Sequence, residues 1–247
     1  MKVTTDACLF GAWCAKEIQN VKFNIQHCLD IGSGTGLLSL MVAQKNDVSI
    51  DAIEIEEKAA EQTHENFSIS PWSNKLTVIN DSLQHATHHQ IINYSPDGRS
   101  KSSTSSPASL KNTLRRVNYQ IIFSNPPFFE NDLKSQNDQR NTALHSNDLS
   151  FEELFDCADS LLSADGNFYI LIPHYRTEET KQIAARFNLF PSQQINVRQT
   201  TTHNYFRTMI CFNRQKKEFT VEEISIKKEN EYTAAFVSLL KDYYLYL

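Results

Sequence analysis

Residues 121–130 read IIFSNPPFFE. An apolar, β-branched run meets an amide, two prolines and two phenylalanines. The prolines end a strand there, because neither can donate a ladder hydrogen bond. The Asn125 side-chain oxygen is one acceptor. The Pro126 carbonyl is a second, and the fixed φ of Pro126 and Pro127 keeps it rigid. Two acceptors pulling on both N–H protons of a planar amine bias its nitrogen towards a pyramidal shape and aim its lone pair. Phe128 offers a face on which a planar base or amide can stack. No strong general base is needed, since the amine proton becomes acidic only after the nitrogen has been alkylated. A simple strand-terminating turn would use the same residues, so the reading depends on context. Phe129 serves as a second wall or as packing.

The context is LDIGSGTGLLSL, which sets Asp30, Gly32, Ser33, Gly34, Thr35 and Gly36 between a strand and a helix. Glycines there allow a sharp turn and a close approach of a ligand to the main chain. The spacing differs from the dinucleotide fingerprint, and the lysine of a phosphate-binding loop is missing. A cofactor without phosphates fits better, and S-adenosylmethionine is one; its spent form is S-adenosylhomocysteine. The next strand ends at Glu54, whose carboxylate can accept both ribose hydroxyl protons. A third ends in VINDSL, where Asp81 can accept from an adenine amine while Ser82 and Leu83 line its pocket. A strand-capping Glu54 and a turn Asp81 are the plainer alternatives.

The elements that must position these residues alternate. Strands are expected at His27–Ile31, Val48–Ile55, Leu76–Asn80, Gln120–Ser124, Asn167–Ile172, Ile195–Gln199 and Phe206–Phe212. Helices are expected at Leu37–Gln44, Glu57–Phe67, Phe151–Leu162 and Thr177–Phe187. Ser150 and Glu153 form a capping box, and Asp165-Gly166 reads as a turn. This βα alternation predicts an α/β fold: a doubly wound, Rossmann-like, mostly parallel seven-stranded sheet with helices on both faces. Residues 1–247 read as a single domain. Residues 94–113, YSPDGRSKSSTSSPASLKNT, form a Ser-rich mobile surface loop before the fourth strand. A regulatory or RNA-contacting role for Arg99, Lys101 and Lys111 is the sharper alternative there. Residues 216–247 read as a strand or hairpin followed by a helix, with terminal tyrosines that pack.

Bulk composition narrows the class. The chain has 247 residues, 40% hydrophobic and 21% charged, as in a globular domain. No apolar run reaches bilayer length, and MKVTTDACLF is not built like a signal peptide. Five cysteines without C-x-x-C pairs indicate free thiols in a reducing cytoplasm. A net charge of −5 argues against a generic nucleic-acid coat, but it allows a nucleic-acid substrate met by a local basic patch. His85, His88 and His89 have helical spacing, yet no nearby carboxylate or cysteine completes a metal site.

The glycine loop and Asn-Pro-Pro-Phe together resemble the amino-methylating, S-adenosylmethionine-dependent class I methyltransferases. MKVTTDACLFGAW, NFSISPW, RNTALHSNDLSFEELF, GNFYILIP and EYTAAFVSLLKDYYL narrow the resemblance to the bacterial tRNA (adenine-N6)-methyltransferases that act on valine tRNA beside the anticodon. The resemblance runs nearly end to end, except for the Ser-rich loop. It implies that Asp30, Gly32, Ser33, Gly34, Gly36, Glu54, Asp81, Ser82 and Asn125 hold the cofactor. Asn125, Pro126, Pro127 and Phe128 would hold the target adenine, at position 37. Thr5 and Asp6 would lie beside the cofactor's methionine end, and Phe10, Gly11 and Trp13 would line that region, core packing being the alternative for Trp13. Basic candidates for the RNA backbone are Arg115-Arg116, Arg140, Arg176, Arg198, Arg207 and Lys216-Lys217, while His145 shares a family stretch with Arg140. A cytoplasmic, metal-free monomer acting on tRNA is expected. An adenine in a loop can be unstacked at modest cost.

Three departures stand out. The short aromatic and basic segment that usually precedes MKV in the family does not precede it here, so weaker cofactor-site closure or tRNA affinity is expected. The Ser-rich loop is longer than usual. Tyr119-Gln120 replaces the usual acidic residue entering the fourth strand. Other planar amines (a protein glutamine, or adenine in DNA or ribosomal RNA) and a non-catalytic cofactor- or RNA-binding factor are the competing functions.

Overall fold

A computed structural model describes residues 3–21, 23–92, 118–127 and 149–246. Helix α1 (Thr5–Asn20) leads into strand β1 (His27–Ile31), α2 (Leu37–Lys45), β2 (Ser49–Glu54), α3 (Glu57–Ser68), β3 (Leu76–Asn80) and α4 (Leu83–Ile92). Beyond the Ser-rich segment come β4 (Tyr119–Ser124), α5 (Phe151–Leu161), β5 (Leu162–Pro173), a 3-10 turn (His174–Arg176), α6 (Thr177–Arg186), β6 (Phe190–Thr200) and β7 (Tyr205–Asn213). The tail adds β8 (Thr220–Lys228), β9 (Glu231–Tyr232) and α7 (Ala234–Leu240).

The strands form one sheet in the order β3-β2-β1-β4-β5-β7-β6-β8-β9. Strands β3, β2, β1, β4 and β5 are mutually parallel, and β7 lies antiparallel between β5 and β6. The Rossmann-like doubly wound fold stands, with two strands beyond the expected seven. Strand β8 joins β6 in parallel and β9 folds back on it. The order reverses between β1 and β4, so the connections that leave them run to opposite faces of the sheet and open a crevice between them.

Alternation along each strand divides the core in two. Cys28, Ile50, Ala52, Phe123 and Tyr169 face α1, α2, α3 and α7. Leu29, Ile31, Ile53, Ile122 and Phe168 face α4, α5 and α6. Helix α5 starts at the expected capping box: the Ser150 hydroxyl accepts from the Glu153 N–H, and Glu153 accepts from the Ser150 N–H. Asp165-Gly166 is not a separate turn. It lies inside β5, where the pairing with β4 jumps from Tyr119↔Leu162 to Ile121↔Asn167, so β5 absorbs three extra residues, Asp165 and Gly166 within the irregular stretch, as a bulge.

Helix α1 is the element that periodicity does not reveal. Every residue from Ala7 to Ala15 is buried, so its apolar residues run all the way round instead of forming a stripe. Gly11 marks its closest approach to α2, since a Cβ there would meet the Met41 sulfur at 2.7 Å. Phe10 and Trp13 are buried in this core and do not line the crevice; Trp13 meets the Tyr169 ring edge-on at 5.2 Å. The tail closes over α1 and α2. Phe236 is fully buried, and the Tyr243 hydroxyl donates to the Met41 carbonyl at 3.1 Å; Tyr243 and Tyr244 pack against this core as expected, whereas Tyr246 is exposed.

Tyr119 and Gln120 have definite tasks at the amino end of β4, opposite the crevice. The Tyr119 hydroxyl donates to buried Asp51 on β2 at 2.8 Å. The Gln120 side chain accepts from the N–H groups of Gln26 and His27. Tyr119→Phe removes a donor from a buried carboxylate and should lower unfolding free energy by about 1–3 kcal/mol, measurable by urea denaturation, without altering cofactor affinity.

Candidate active site

The crevice at the carboxyl ends of β1, β2, β3 and β4 is a cavity of about 920 Å³. Its floor is the chain from Ile31 to Thr35. The turn forms because Gly32, Gly34 and Gly36 all take positive φ, at 70°, 59° and 78°. Gly36 is doubly constrained: a Cβ would also stand 2.6 Å from the Phe67 ring. It shapes the loop from behind and is not itself in the cavity wall. Above Gly32 the space is open, with nothing within 4 Å of where a Cβ would be.

Glu54 ties this loop to the end of β2. Its Oε2 accepts from the Gly34 N–H at 2.7 Å and its Oε1 from the Glu56 N–H at 3.0 Å. The carboxylate therefore holds the glycine turn and lines the cavity with the same two oxygens. Farther along, Asp81 forms the wall beyond β3. Its Oδ1 accepts from the Ser82 N–H, and its Oδ2 is hydrogen-bonded to His85 Nδ1 at 2.7 Å. Leu83 and Gln84 line this end beside Asp81, and the Ser82 side chain instead accepts from the His85 N–H.

Asp30 lies under the floor, fully buried. Its Oδ2 accepts from the Ser39 hydroxyl at 2.7 Å, while Oδ1 and the buried Ser33 hydroxyl have no partner among the described residues. Burial pushes the Asp30 carboxyl up to about 7, against the lowering by Ser39, with Glu54 adding to the rise. The native state thus holds a proton that the unfolded chain has released between pH about 4 and about 7. Stability from this group falls as pH rises through that window. Asp30→Asn should remove that loss, so the variant gains on the wild type by up to a few kcal/mol from pH 4.5 to 7.5 in denaturation experiments.

The far wall brings in residues that sequence order separates widely. Asn125, Pro126 and Pro127 follow β4 directly into the cavity wall; Asn125 is half-buried and Pro126 buried. The preceding Ser124 is fully buried and donates to the Ile31 carbonyl at 2.8 Å, which locks the two strand ends together. Asp6, at the start of α1, also lines the cavity, with Val3, Thr4 and Ala7. Its Oδ2 accepts from Arg207 Nε at 2.8 Å. Arg207, counted from sequence among RNA-backbone candidates, thus joins the wall through a partner 201 positions away. Thr5 points away and is exposed. Val3, Thr4 and Leu149 carry no motif that would have singled them out. Phe128, Phe129, Arg140 and His145 lie outside the described residues, as do Arg99, Lys101, Lys111, Arg115, Arg116 and the side chains of His88 and His89.

Among the described residues the lining carries the carboxylates Asp6, Glu54, Glu56 and Asp81 against one cation, Arg207, which is paired with Asp6. Such a wall repels phosphates and suits a neutral or cationic ligand. S-adenosylmethionine fits on these grounds: its sulfonium is cationic, its hydroxyls and amines need acceptors, and the floor of unpartnered hydroxyl and open glycine admits close approach. Among the described residues no group of three or more His, Cys, Asp and Glu side chains could hold a metal. Nor is any helix among them long and apolar enough to cross a membrane.

Comparison with known proteins agrees with this layout. The profile of the ribosomal protein L11 methyltransferase (PrmA) family matches residues 3–93. The tRNA1(Val) (adenine(37)-N6)-methyltransferase of Flavobacterium psychrophilum is 34% identical over 247 residues, 99% of this chain and 93% of its own. The protein of the same name from Bacteroides fragilis is 35% identical over 246 residues, 99% and 91% of the two chains. Among solved structures, the predicted O-methyltransferase of Agrobacterium tumefaciens superposes with a TM-score of 0.63 at 13% identity, covering 96% of this chain and 95% of that one. The ribosomal protein L11 methylase of Lactobacillus delbrueckii subsp. bulgaricus does so at 0.50 and 13% identity, over 83% and 77%. Those two likenesses show the fold.

Proposed function

This chain belongs to the tRNA1(Val) (adenine(37)-N6)-methyltransferase family, and from that premise we propose that it methylates N6 of adenine 37 in valine tRNA. It is an S-adenosylmethionine-dependent tRNA adenine-N6 methyltransferase. The observation that carries the reading is that Asn125-Pro126-Pro127 and the glycine loop open on one cavity.

When bound, S-adenosylmethionine supplies an electrophilic methyl group on a sulfonium. The chain's own work is placement. Glu54 would accept from the ribose hydroxyls while it anchors Gly34. Asp81 would accept from the cofactor's adenine amine, and Asp6 would stand at the methionine end. The Asn125 oxygen and the Pro126 carbonyl would accept hydrogen bonds from the two N–H groups of the target amine and orient its lone pair. Rigidity at Pro126 and Pro127 keeps the second acceptor from following the proton. Phe128, outside the described residues, would stack on the target base. The amine proton leaves after transfer, so no carboxylate or histidine is required at the nitrogen.

In this reading residues 1–247 act as one catalytic unit, with 94–113 inserted before β4 and 216–247 as a C-terminal extension. The enzyme works on tRNA as a cytoplasmic monomer. The test incubates it with methyl-labelled cofactor and total tRNA lacking the modification, then digests the RNA. Label should appear as N6-methyladenosine at position 37 of valine tRNA. Label in protein, or in another nucleoside, overturns the proposal.

A further inference from the structure

The crevice has two banks of opposite character. On the β2–β3 side, the stretch Glu54–Lys58 holds three glutamates against one lysine, and Asp81 adds a further carboxylate. On the other side the sheet continues through β5, β7, β6 and β8. Register places their ends in one row: Pro173 pairs with Arg207, Arg198 with Tyr205 and with Ser225, and Thr200 with Lys227. Four strand steps from β4 span roughly 19 Å, the scale of a few nucleotides.

Aromatic faces and cations alternate along that row. The turn after β5 presents Tyr175, 70% exposed although its ring is apolar. Next to it, the Arg176 guanidinium lies 4.1 Å from the Phe151 ring centre and is held by Glu179 through Nε and Nη2. Tyr205 packs between His174, at 5.1 Å, and the Arg198 guanidinium, at 5.3 Å. Arg198 is fixed by Ser225 and Glu223 through Nε and Nη2, and Glu223 also accepts from the Tyr205 hydroxyl. The carboxylates reduce the net charge of the row, but they also fix both guanidiniums in place. Among the described residues Nη1 of each has no hydrogen-bond partner, and a guanidinium has five donors in all.

We propose that this row, from Tyr175 to Arg198, is the docking surface for the single-stranded loop of the substrate RNA. The inference rests on the tRNA reading above and deepens it. An exposed ring beside immobilised guanidiniums is what a nucleotide strand needs: a base face stacks on Tyr175, and phosphates meet Arg176 and Arg198. The acidic bank opposite repels the strand and leaves that side to the cofactor. A loop laid along the row meets Asn125 at its β4 end, where the target base enters.

The test measures the Kd of the intact enzyme for an anticodon stem-loop RNA, separately from methylation. Tyr175→Ala should weaken binding by about tenfold, Tyr175→Phe should retain it, and Arg198→Gln should weaken it severalfold with a shallower salt dependence. Lys58→Ala on the acidic bank should leave Kd unchanged, as should all four variants for S-adenosylmethionine. Unchanged RNA affinity in Tyr175→Ala and Arg198→Gln overturns the docking surface even if the wild type methylates tRNA. RNA bound through this row by a wild type that forms no N6-methyladenosine overturns the functional reading instead.

Discussion

Asn125→Ala is expected to lower methyl transfer by about 10²–10³-fold at saturating substrates while the Kd for S-adenosylmethionine stays within about twofold of wild type. The reason is where the residue stands. Ser124 is locked to the end of β1 through the Ile31 carbonyl, so the chain leaves β4 in a fixed direction. Asn125 is the next residue, half-buried in the cavity wall. The cofactor's proposed anchors, the glycine loop and Glu54, follow β1 and end β2, and the substitution does not touch them. An acceptor that acts on the substrate amine improves as positive charge develops on that nitrogen, so its loss falls on kcat. Asn125→Asp keeps an acceptor and should fall between alanine and wild type. Calorimetry and single-turnover methylation read the two quantities separately. An equal loss of cofactor affinity and of rate would mean that Asn125 only supports the pocket.

Glu54→Ala should do the reverse. Its Kd for S-adenosylmethionine should rise by about 10–150-fold, from losing charge-assisted hydrogen bonds of about 1.5–3 kcal/mol, while the rate at saturating cofactor changes little. Two losses add up at this residue. The ribose acceptor goes, and the Gly34 N–H loses the oxygen 2.7 Å away that holds the turn. Glu54→Gln keeps a carbonyl oxygen for Gly34 but lacks the charge and the second acceptor, so it should recover part of the affinity. If alanine and glutamine bound the cofactor as wild type does, Glu54 would be a strand cap and nothing more.

Both predictions use residues that the sequence already marks. Gly32-Ser33-Gly34, Glu54, Asp81 and Asn125-Pro126-Pro127 each announce themselves locally, through a backbone demand or an abrupt strand end. Alternation of strands with helices makes the neighbouring strands parallel, and parallel strands bring their carboxyl ends to one edge. That is why residues from positions 32, 54, 81 and 125 come to line a common cavity.

Other parts of the site were illegible for physical reasons. Helix α1 is wrapped on all sides from Ala7 to Ala15, so no polar face sets a period there, and only the family resemblance, not a local pattern, marked its Asp6. Arg207 reads as one cation among many until β7 inserts between β5 and β6 and sets it beside Asp6. The Tyr119 hydroxyl finds Asp51 across 68 positions, where sequence showed only a missing acid. Tyr175, Tyr205 and Arg198 share a row solely because strand order and register align their ends.

By itself, then, the sequence determined the chemistry. Side-chain type and backbone conformation are local properties, and they name an amine clamp beside a glycine-turned cofactor loop. Only the tertiary structure decided which distant groups complete the cavity and which bank of the crevice is acidic. Those depend on pairings between strands far apart in the chain, and no local pattern encodes the partner.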